Sequence, residues 1–567
     1  MCVELSILIC GEAGQGIQTI EYLFPNVLKD SGLNVYSYKE YMSRVRGGSN
    51  STLIRVSDRP VRAFCRKVDV LVSLSSQTTH LSRLSDRIDS DAIIILDSDS
   101  NTKLYHNGKI IHQVPISKLA LQAGNKVYSN SVVLGMLCSI LNLPFENALS
   151  AIEKWFCNKG GNICEENKIA AKLGYENIST NSDLRIRKDF NSDPRVKEHL
   201  LINGAEAVAI GALAGGCNFV SSYPMSPSTG VLTNLAAYSR EFDIIVEQAE
   251  DEISAINMAL GAWYAGARAL VTTSGGGFAL MVEALSLAGA IESPIVIHLA
   301  QRPGPATGLP TRTEQADLLF ALFSGHGEFE RVILAPGNIE QAFSCTAKAF
   351  EISDKYQVPV FVLTDQYLMD TIYNFDSLKK VEPCFNHVVK TTDNYKRYEI
   401  TQDGISPRGI PGFGDGLVCV DSDEHDEFGR ITENFTIRKK MVEKRLRKLK
   451  DFSDEVPAEL IGNEDYRYLI LCFGSTREIV VEAVKDFDEV AVVHLQQIHP
   501  LPSNLSRYLR MAQKVLIVES NATSQLGKLI KMDLGFNNFE TLNKYNGLPF
   551  YVEEVRDFAK RFVKGEI

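Results

Sequence analysis

Four acidic residues stand directly before a run of small and apolar residues, and carboxyl groups in such a setting can transfer protons. They are Glu247, Glu250, Asp251 and Glu252, and the run covers residues 253–267. Acidic side chains also stabilise a helix N-terminus through capping and the helix dipole, which accounts for three of the four. A fourth carboxyl that faces apolar residues is suited to proton transfer. The cluster therefore predicts a helix start, and it leaves a catalytic carboxyl open beside a purely capping role.

The residues after the cluster alternate between helix, strand and glycine turn, which is typical of an α/β layer. Residues 253–267 favour a helix, 269–273 favour a strand, and Ser274-Gly-Gly-Gly277 forms the turn. Further apolar strand-like runs lie at 218–222, 294–300 and 358–364. Because ligands bind at the carboxyl ends of parallel strands, we expect the functional site at that edge of the sheet.

The order of strand-like runs and polar stretches predicts an α/β protein built from several domains. Residues 1–180 show a Rossmann-like pattern and residues 181–199 are a polar linker. Residues 200–372 form the segment with the acidic cluster, and 373–462 connect it to a second compact α/β pattern at 463–567.

Composition limits the class of protein. The chain has 567 residues, of which 45% are hydrophobic and 23% charged, and its formal net charge is −11. This charge disfavours a broad nucleic-acid surface. The eleven cysteines are scattered without any CxxC pair, which predicts reduced thiols and argues against an iron–sulfur cluster or structural zinc held by this chain alone. No signal peptide or membrane-length apolar run occurs, so we expect a cytoplasmic protein that binds neither membrane nor nucleic acid.

Two loops in the first segment could bind an anion. The loop GEAGQG, with Gly14 and Gly16, opens a helix whose N–H groups suit a phosphate or carboxylate, although a tight strand-to-helix turn explains it equally. The loop SRVRGG, with Arg44 and Arg46, suits an anionic ligand or a partner surface, and a solvated loop is the alternative.

Two loops in the central segment are rigid by composition. In YPMSPST, two prolines bracket Ser226 and aim its hydroxyl outward. The loop QRPGPATGLPTRTEQAD is rich in Gly and Pro and carries Arg302 and Arg312. Rigid cationic loops at strand ends carry function more often than packing.

The connecting segment contains two weaker signals. Gly414-Asp-Gly416 hints at a metal–diphosphate motif, but the Asn that should complete it comes early, as Asn434 in a polar run. The acidic stretch DSDEHDEFG at 421–429 favours a solvated turn over a cation site. Neither signal predicts a metal site in this chain.

Taken together, these motifs resemble the α subunit of 2-oxoacid:ferredoxin oxidoreductases, in the form with the γ domain fused in front. The matching stretches cover nearly the whole chain, and those between 223 and 329 are long and specific. They are GEAGQG, SRVRGG, YPMSPST, EQAEDEISAINMALGA, TTSGGGFALMVEAL, RPGPATGLPTRTEQADL, SGHGEF, GDG…DEHDEFG, QIHPLP and ESNATSQLGKL. The resemblance implies a γ-type Rossmann-like domain, a thiamine-diphosphate pyrimidine-binding domain and a transketolase C-terminal-like domain.

The resemblance implies oxidative decarboxylation of a 2-oxoacid, with coenzyme A as acyl acceptor and ferredoxin as electron acceptor. This chain would hold the pyrimidine half of thiamine diphosphate. A partner β subunit would hold the diphosphate, Mg²⁺ and a [4Fe–4S] cluster, in an (αβ)₂ assembly. The lack of CxxC and of a complete diphosphate motif agrees with that division. The favoured substrate is 2-oxoglutarate, and pyruvate or a broad range of 2-oxoacids is the alternative. A non-redox thiamine-diphosphate lyase and a non-catalytic scaffold are the other open classes.

The resemblance also implies roles for particular residues. Glu252 matches the glutamate that hydrogen-bonds the aminopyrimidine ring, and Glu250 is the second choice. Ser226 stands where the family usually has Thr, and Arg312 would pair with the substrate carboxylate. Gly276 stands where the family usually has proline, which loosens the turn. Further implied residues are Tyr223 for the substrate, Pro227, Ser274 and Gly275 for the cofactor, and Gly14, Gly16, Arg44 and Arg46 for coenzyme A or a subunit interface.

Overall fold

The computed structural model describes residues 3–12, 17–42, 49–74, 86–98, 102–106, 109–181, 184–186, 189–385, 387–452 and 455–567. Two compact units divide the chain. The first is Met1–Ile202 with Asp370–Ser377, and the second is Asn203–Met369 with Leu378–Ile567. The second unit thus contains the predicted C-terminal segment and most of the predicted central and connecting segments, whereas residues 200–202 and 370–377 belong to the first unit.

Strands and helices alternate through most of the chain, as the sequence predicts for an α/β protein. The strands are β1 Glu4–Glu12, β2 Asn34–Glu40, β3 Ser49–Ser57, β4 Val68–Ser73, β5 Ile88–Asp97, β6 Thr102–His106, β7 Lys109–Val114, β8 Leu200–Asn203, β9 Phe219–Ser222, β10 Ile245–Gln248, β11 Ala269–Thr273, β12 Ile295–Gln301, β13 Val332–Leu334, β14 Pro359–Asp365, β15 Thr371–Phe375, β16 Glu459–Gly462, β17 Tyr468–Phe473, β18 Val490–Leu495, β19 Gln497–His499, β20 Lys514–Glu519 and β21 Glu540–Asn543. The helices are α1 Ile17–Asp30, α2 Ile116–Gln122, α3 Ser129–Ile140, α4 Phe145–Phe156, α5 Ile163–Ser179, α6 Gly204–Ala214, α7 Thr229–Tyr238, α8 Glu252–Tyr264, α9 Gly275–Ala290, α10 Leu318–Phe323, α11 Ile339–Tyr356, α12 Gln366–Asp370, α13 Phe435–Arg445, α14 Thr476–Val484, α15 Leu505–Met511, α16 Gln525–Leu534 and α17 Val552–Lys564.

The sheet of the first unit is mixed. Its strand order is β6-β7-β5-β4-β1-β3-β2-β15-β8. Strands β1, β4, β5 and β7 run parallel, as a Rossmann-like pattern predicts. Strand β3 pairs antiparallel with both β1 and β2. Strand β3 therefore lies between β1 and β2 in the sheet, and the sequence analysis did not predict this strand.

The second unit contains two predominantly parallel sheets. One has the order β10-β9-β11-β12-β14-β13-β19, and the other has the order β16-β18-β17-β20-β21. Only the edge strands β19 and β16 pair antiparallel within these two sheets as described. The central strands β11, β12 and β14 are buried along their whole length. Parallel strands covered on both faces are continuous hydrophobic runs, which is why their positions were predictable.

The connecting segment supplies cations to the C-terminal ends of three helices of the second unit. Arg408 donates to the Trp263 carbonyl at 3.4 Å, and Arg397 donates to the Glu292 carbonyl at 2.8 Å. Lys448 donates to the Gln357 carbonyl at 3.0 Å. These carbonyls lie at the ends of α8, α9 and α11, where unpaired C=O groups and the helix dipole attract positive charge.

A buried carboxylate, Glu292, pairs with Lys448 and with a second lysine of the connecting segment. The Glu292 side chain accepts from Lys444 Nζ at 2.7 Å, and Lys448 Nζ lies 2.7 Å from its other oxygen. Burial lowers the pKa of Lys448 to about 7, although Glu292 opposes the shift. The two lysines and the carboxylate are almost completely buried. Removal of the Glu292 charge would therefore leave two buried ammonium groups without a counter-charge.

The acidic stretch at 421–429 is a turn, as predicted, but it is solvated only in part, because Ser422, Asp423 and Phe428 are exposed whereas other residues are buried or half-buried. His425 is fully buried and its ring lies 3.9 Å from the Tyr398 ring. Glu424 accepts from Arg445 at 2.9 Å and also pairs with Arg438. The basic helix α13 therefore neutralises this stretch. Among the described residues, no group of three or more His, Cys, Asp or Glu could hold a metal ion.

The cysteine prediction is wrong at one position. Cys157 and Cys164 form a disulfide that joins the end of α4 to the start of α5. The two residues are seven positions apart in sequence, and the helix-to-helix turn brings them together. The free cysteines of the described chain are buried or half-buried, as predicted. Separately, no helix in the described ranges combines the length and the apolar character needed to cross a bilayer.

Candidate active site

The predicted edge of the central sheet is where two helices begin. Strand β9 leads into the turn with Ser226, and β11 leads through Ser274 into α9. Helix α8 begins at Glu252 after β10. Because β9, β10 and β11 are parallel neighbours, their carboxyl ends meet at one edge, and the positive ends of α8 and α9 lie there.

The four acids of the sequence cluster have different positions. Asp251 is the N-cap of α8, and its carboxylate accepts from the Ser254 N–H at 2.7 Å. Glu252 is the first residue of the helix and is only 4% exposed. Glu247 lies on β10, and both it and Glu250 are exposed. The expectation that three acids cap the helix is therefore wrong, and the burial of Glu252 distinguishes it from the others.

The first turn of α9 fits closely around two carboxyl groups. A Cβ atom on Gly277 would lie 2.5 Å from Glu252 Oε1 and would also strike Thr273 Oγ1. A Cβ atom on Gly275 would strike the Asp317 carboxylate. Glycine at both positions therefore lets the α9 backbone approach the two acids.

Three buried oxygen atoms around this turn lack a hydrogen-bond partner within the described residues. They are Glu252 Oε1, Ser274 Oγ and Asp317 Oδ2. Ser274 is the N-cap of α9, yet its side chain makes no capping hydrogen bond. A buried polar atom without a partner costs about 1–3 kcal/mol. Three of them around one turn mark a place where a polar ligand is expected to bind.

The loop after β12 brings charge to the same turn. Arg302 Nη1 donates to the Ser226 carbonyl at 2.8 Å. The Asp317 N–H donates to Gln301 Oε1 at 2.9 Å. Burial raises the pKa of Asp317 to about 6, and Arg302 only partly offsets this. Burial lowers the pKa of Arg302, and the charge of Asp317 opposes the shift. The site thus contains a carboxyl that is partly protonated near neutral pH.

The C-terminal sheet of the same unit fixes this loop. Gln315 is 1% exposed; its amide donates to the Phe473 carbonyl at 2.9 Å and accepts from the Ser520 N–H at 3.0 Å. Gln525 donates to the Ala316 carbonyl at 2.7 Å. These bonds give a structural reason for the rigidity predicted from the Gly and Pro content.

The remaining predicted residues are found at several places. Ser226 and Pro227 flank a cis peptide bond next to Arg302, and Pro227 is buried. Tyr223 is 39% exposed at the start of the same turn. Arg312 donates its backbone N–H to Leu309 at 3.1 Å, and a Cβ atom on Gly547 would lie 3.2 Å from its Cβ. Four predicted residues lie outside the described residues: Gly14, Gly16, Arg44 and Arg46.

Two histidines of the central segment do not contribute to this cluster. His298 is fully buried between Thr272 Oγ1 at 2.7 Å and Thr364 Oγ1 at 2.8 Å, and burial lowers its pKa to about 3. It is therefore a neutral structural residue. His326 is exposed, and its backbone N–H donates to Ser286 Oγ at 2.8 Å.

Comparison with known proteins identifies the family. Residues 210–444 match the family described as "Pyruvate flavodoxin/ferredoxin oxidoreductase, thiamine diP-bdg", and residues 6–177 match "Pyruvate ferredoxin/flavodoxin oxidoreductase". A 2-oxoacid:ferredoxin oxidoreductase subunit alpha from Sulfolobus sp is 31% identical over 99% of this chain and 97% of its own length. The chain belongs to this family of α subunits. The predicted resemblance, the α/β fold class and the oxidoreductase class are therefore confirmed.

Other members of the family extend the comparison. The 2-oxoglutarate oxidoreductase subunit KorA of Mycobacterium tuberculosis is 27% identical over 99% of this chain and 92% of its own length. A solved 2-oxoglutarate:ferredoxin oxidoreductase from Magnetococcus marinus superposes with a TM-score of 0.90 and 27% identity, covering 98% of this chain and 99% of that one. That protein was solved with 2-oxoglutarate, coenzyme A and succinyl-CoA bound.

The residues around the glycine turn fit the pyrimidine half of thiamine diphosphate. An aminopyrimidine has ring nitrogens that accept hydrogen bonds and an amino group that donates them. A carboxyl and a hydroxyl can form the complementary hydrogen bonds. Glu252 Oε1 and Ser274 Oγ offer these groups without competing partners, and Gly277 leaves the Glu252 carboxyl in place. The turn lies within the matched thiamine-diphosphate-binding region.

The sequence analysis did not single out Asp317, whose pKa is raised to about 6 by burial. The sequence contained one weak indication of a role for Asp317, which directly precedes the apolar helix α10. In the structure the Asp317 side chain does not cap this helix. An acid that stands before a helix and does not cap it is available for another role.

Proposed function

We propose that this chain is the catalytic α subunit of a thiamine-diphosphate-dependent 2-oxoacid:ferredoxin oxidoreductase with 2-oxoglutarate as substrate. The reaction converts the 2-oxoacid and coenzyme A to acyl-CoA and carbon dioxide, with two electrons passed to ferredoxin. Thiamine diphosphate, when bound, supplies the carbon nucleophile and the electron sink for decarboxylation. The observation that carries the proposal is the buried carboxyl of Glu252, unpartnered beside the glycine turn.

Glu252 holds and moves the proton at the aminopyrimidine ring. Its side chain is 4% exposed, so water does not compete for its Oε1 atom. Its position as the first residue of α8 fixes its backbone, and the α9 turn packs against its carboxyl end. A carboxyl fixed at hydrogen-bond reach of its proton acceptor is the requirement for general acid–base catalysis.

Ser226 and Arg312 bind the substrate. The Ser226 hydroxyl lies on a turn whose carbonyl is fixed by Arg302, and it suits the 2-oxo or carboxylate group. Arg312 lies on the rigid loop and would pair with the carboxylate next to the oxo group. The same loop lies next to the glycine turn, because the Ala306 carbonyl is 3.9 Å from the position of a Cβ atom on Gly276.

The β subunit with Mg²⁺ and a [4Fe–4S] cluster, the (αβ)₂ assembly and the cytoplasmic location belong to the same proposal. The relatives of this chain are named as α subunits, which supports a partner. The near-complete coverage of a 2-oxoglutarate enzyme and the match to KorA support 2-oxoglutarate over pyruvate.

Purification of the tagged chain from its native host tests the proposal. We expect a brown complex with a smaller partner that contains CxxC motifs. We expect that complex to reduce a viologen dye only when 2-oxoglutarate and coenzyme A are both present. Faster reduction with pyruvate would refute the substrate. A colourless chain that purifies alone and is inert with every 2-oxoacid would refute the enzyme and favour a scaffold.

A further inference from the structure

Arg302 is a half-buried cation that forms no ion pair within 4 Å in the part of the chain that the structure describes. Its Nη1 atom donates to the Ser226 carbonyl at 2.8 Å. None of the ion pairs found within 4 Å among the described residues includes it. A guanidinium has five N–H donors in a planar fork, so one bond to a carbonyl leaves most of them for a ligand.

Asp317 does not neutralise Arg302. An aspartate paired closely with an arginine has a lowered pKa, because the cation favours the charged carboxylate. The pKa of Asp317 is instead raised to about 6. Among the described residues, no ion pair within 4 Å joins Asp317 to Arg302, so the carboxylate and the guanidinium are not in direct contact. A desolvated cation in that state favours binding of an external anion.

The position of Arg302 relates it to the substrate. It is bonded to the backbone of Ser226, whose hydroxyl we assign to the 2-oxo end of the substrate. Arg312, ten positions later on the same loop, is assigned to the carboxylate next to the oxo group. A 2-oxoacid with a single carboxylate uses only one of these two guanidinium groups, whereas a dicarboxylic 2-oxoacid can use both.

We propose that Arg302 binds the second carboxylate of a dicarboxylic 2-oxoacid and thereby selects this class over monocarboxylic 2-oxoacids. The inference rests on the proposed function. It assigns substrate selection to a residue of this chain, through a planar, bidentate pairing of guanidinium with carboxylate.

The alternative role for Arg302 is purely structural, as a clamp on the Ser226 turn. The two roles differ in their effect on substrates. Loss of a clamp impairs every 2-oxoacid equally, because all of them use the turn. Loss of the anion partner impairs dicarboxylic substrates alone.

The test uses the purified complex with Arg302→Gln and Arg302→Lys. For Arg302→Gln we expect kcat/KM for 2-oxoglutarate to fall about 10- to 100-fold, as for loss of a hydrogen bond between charged groups. The value for 2-oxobutyrate should fall by a smaller factor, at most about tenfold, because this substrate is affected only through the lost bond to the Ser226 carbonyl. Arg302→Lys should retain part of the preference, because it keeps the charge and loses the fork.

Arg331→Gln is the matched control. Arg331 is also a buried arginine, and it donates to the carbonyls of Ala321 at 3.0 Å and Ser324 at 2.7 Å. It is not among the residues that Cβ atoms on Gly275, Gly276 or Gly277 would meet. We expect this variant to lower the melting temperature and to leave the ratio of the two substrates unchanged.

A binding measurement separates this inference from the proposed function. Glutarate and butyrate lack the oxo group, so their binding to the complex does not depend on turnover. We expect glutarate to bind more tightly than butyrate to the wild-type complex in calorimetry, and Arg302→Gln to remove the difference. Equal binding of the two acids by wild type, or equal loss of both in the variant, would overturn the inference even if no 2-oxoacid is converted.

Discussion

Replacement of Gly277 by alanine should impair catalysis through Glu252, without any change to an ionisable group. The added Cβ atom would lie 2.5 Å from Glu252 Oε1, whereas an ordinary contact is 3.4–4 Å. Relief of the clash needs a movement of at least 3.4 − 2.5 = 0.9 Å. Thr273 Oγ1 lies on the same side, so the turn cannot shift in that direction.

The size of the movement forced on Glu252 sets the expected loss of turnover. A misplacement of about 1 Å at a catalytic group costs about 10²-fold in rate. Overpacking of a tight site costs about 1–3 kcal/mol of stability. We therefore expect Gly277→Ala to fold, with a modestly lower melting temperature and a turnover about 10²-fold below wild type.

Gly276→Ala is the matched control, one residue away in the same helical turn. Its Cβ atom would meet only the Ala306 carbonyl, at 3.9 Å. Alanine in a helix is favoured over glycine by about 0.5–1 kcal/mol. We expect wild-type turnover and equal or greater stability for this variant.

The assay is dye reduction by the purified complex at saturating 2-oxoglutarate and coenzyme A, with thiamine diphosphate titrated for each variant. Melting temperatures of the same samples separate lost stability from lost catalysis. Equal turnover of the Gly277 and Gly276 variants would refute the reasoning, because the position of Glu252 would then not depend on the glycine turn.

Three other changes have defined outcomes. Glu252→Gln should lower dye reduction by about 10² or more, because a proton-transfer group is lost, whereas the exposed Glu250→Gln should have little effect. Asp317→Asn should alter the pH dependence of stability. The folded wild type keeps this proton up to about pH 6 and the unfolded chain releases it near 3.8, so wild-type stability should fall by up to about 3 kcal/mol between pH 4 and 6 relative to the variant. Glu292→Gln should cost about 3–5 kcal/mol in denaturant unfolding, because two buried lysines lose their counter-charge, whereas Glu382→Gln, which breaks an exposed pair, should not.

Each of these outcomes has a clear opposite. Full activity of the Glu252 variant would remove the proton-transfer role. Parallel stability curves for wild type and the Asp317 variant across this pH range would show that the carboxyl titrates normally. Equal unfolding midpoints for the Glu292 and Glu382 variants would show that the buried lysines are compensated from elsewhere.

Much of the fold could be predicted because its signals are local. The buried strands β11, β12 and β14 are short apolar runs bounded by turn residues, and such runs are recognisable from the chain alone. Strand β3 was not predicted because its sequence begins with the polar residues Ser49-Asn-Ser-Thr52. Its pairing with β1 is decided by the sheet and not by its own pattern.

For the candidate site, too, some features could be predicted from the sequence and others could not. The motif around Glu252 and the two rigid loops were visible in the sequence. The burial that separates Glu252 from Glu247 and Glu250 was not visible, since neighbouring acids look equivalent in a linear chain. The raised pKa of Asp317 was likewise hidden, because it results from desolvation by residues distant in sequence.

The sequence by itself determined the family, the buried parallel strands of the central segment, and the residue types available for chemistry, because motifs and hydrophobic periodicity are properties of short segments. Only the tertiary structure decided which atoms remain without partners, which cations cap which helix ends, and where the disulfide forms. Those features depend on contacts such as Asp317 with Gly275 and Glu292 with Lys444. Such contacts join positions far apart in the chain, so burial and electrostatics acquire their values only after folding.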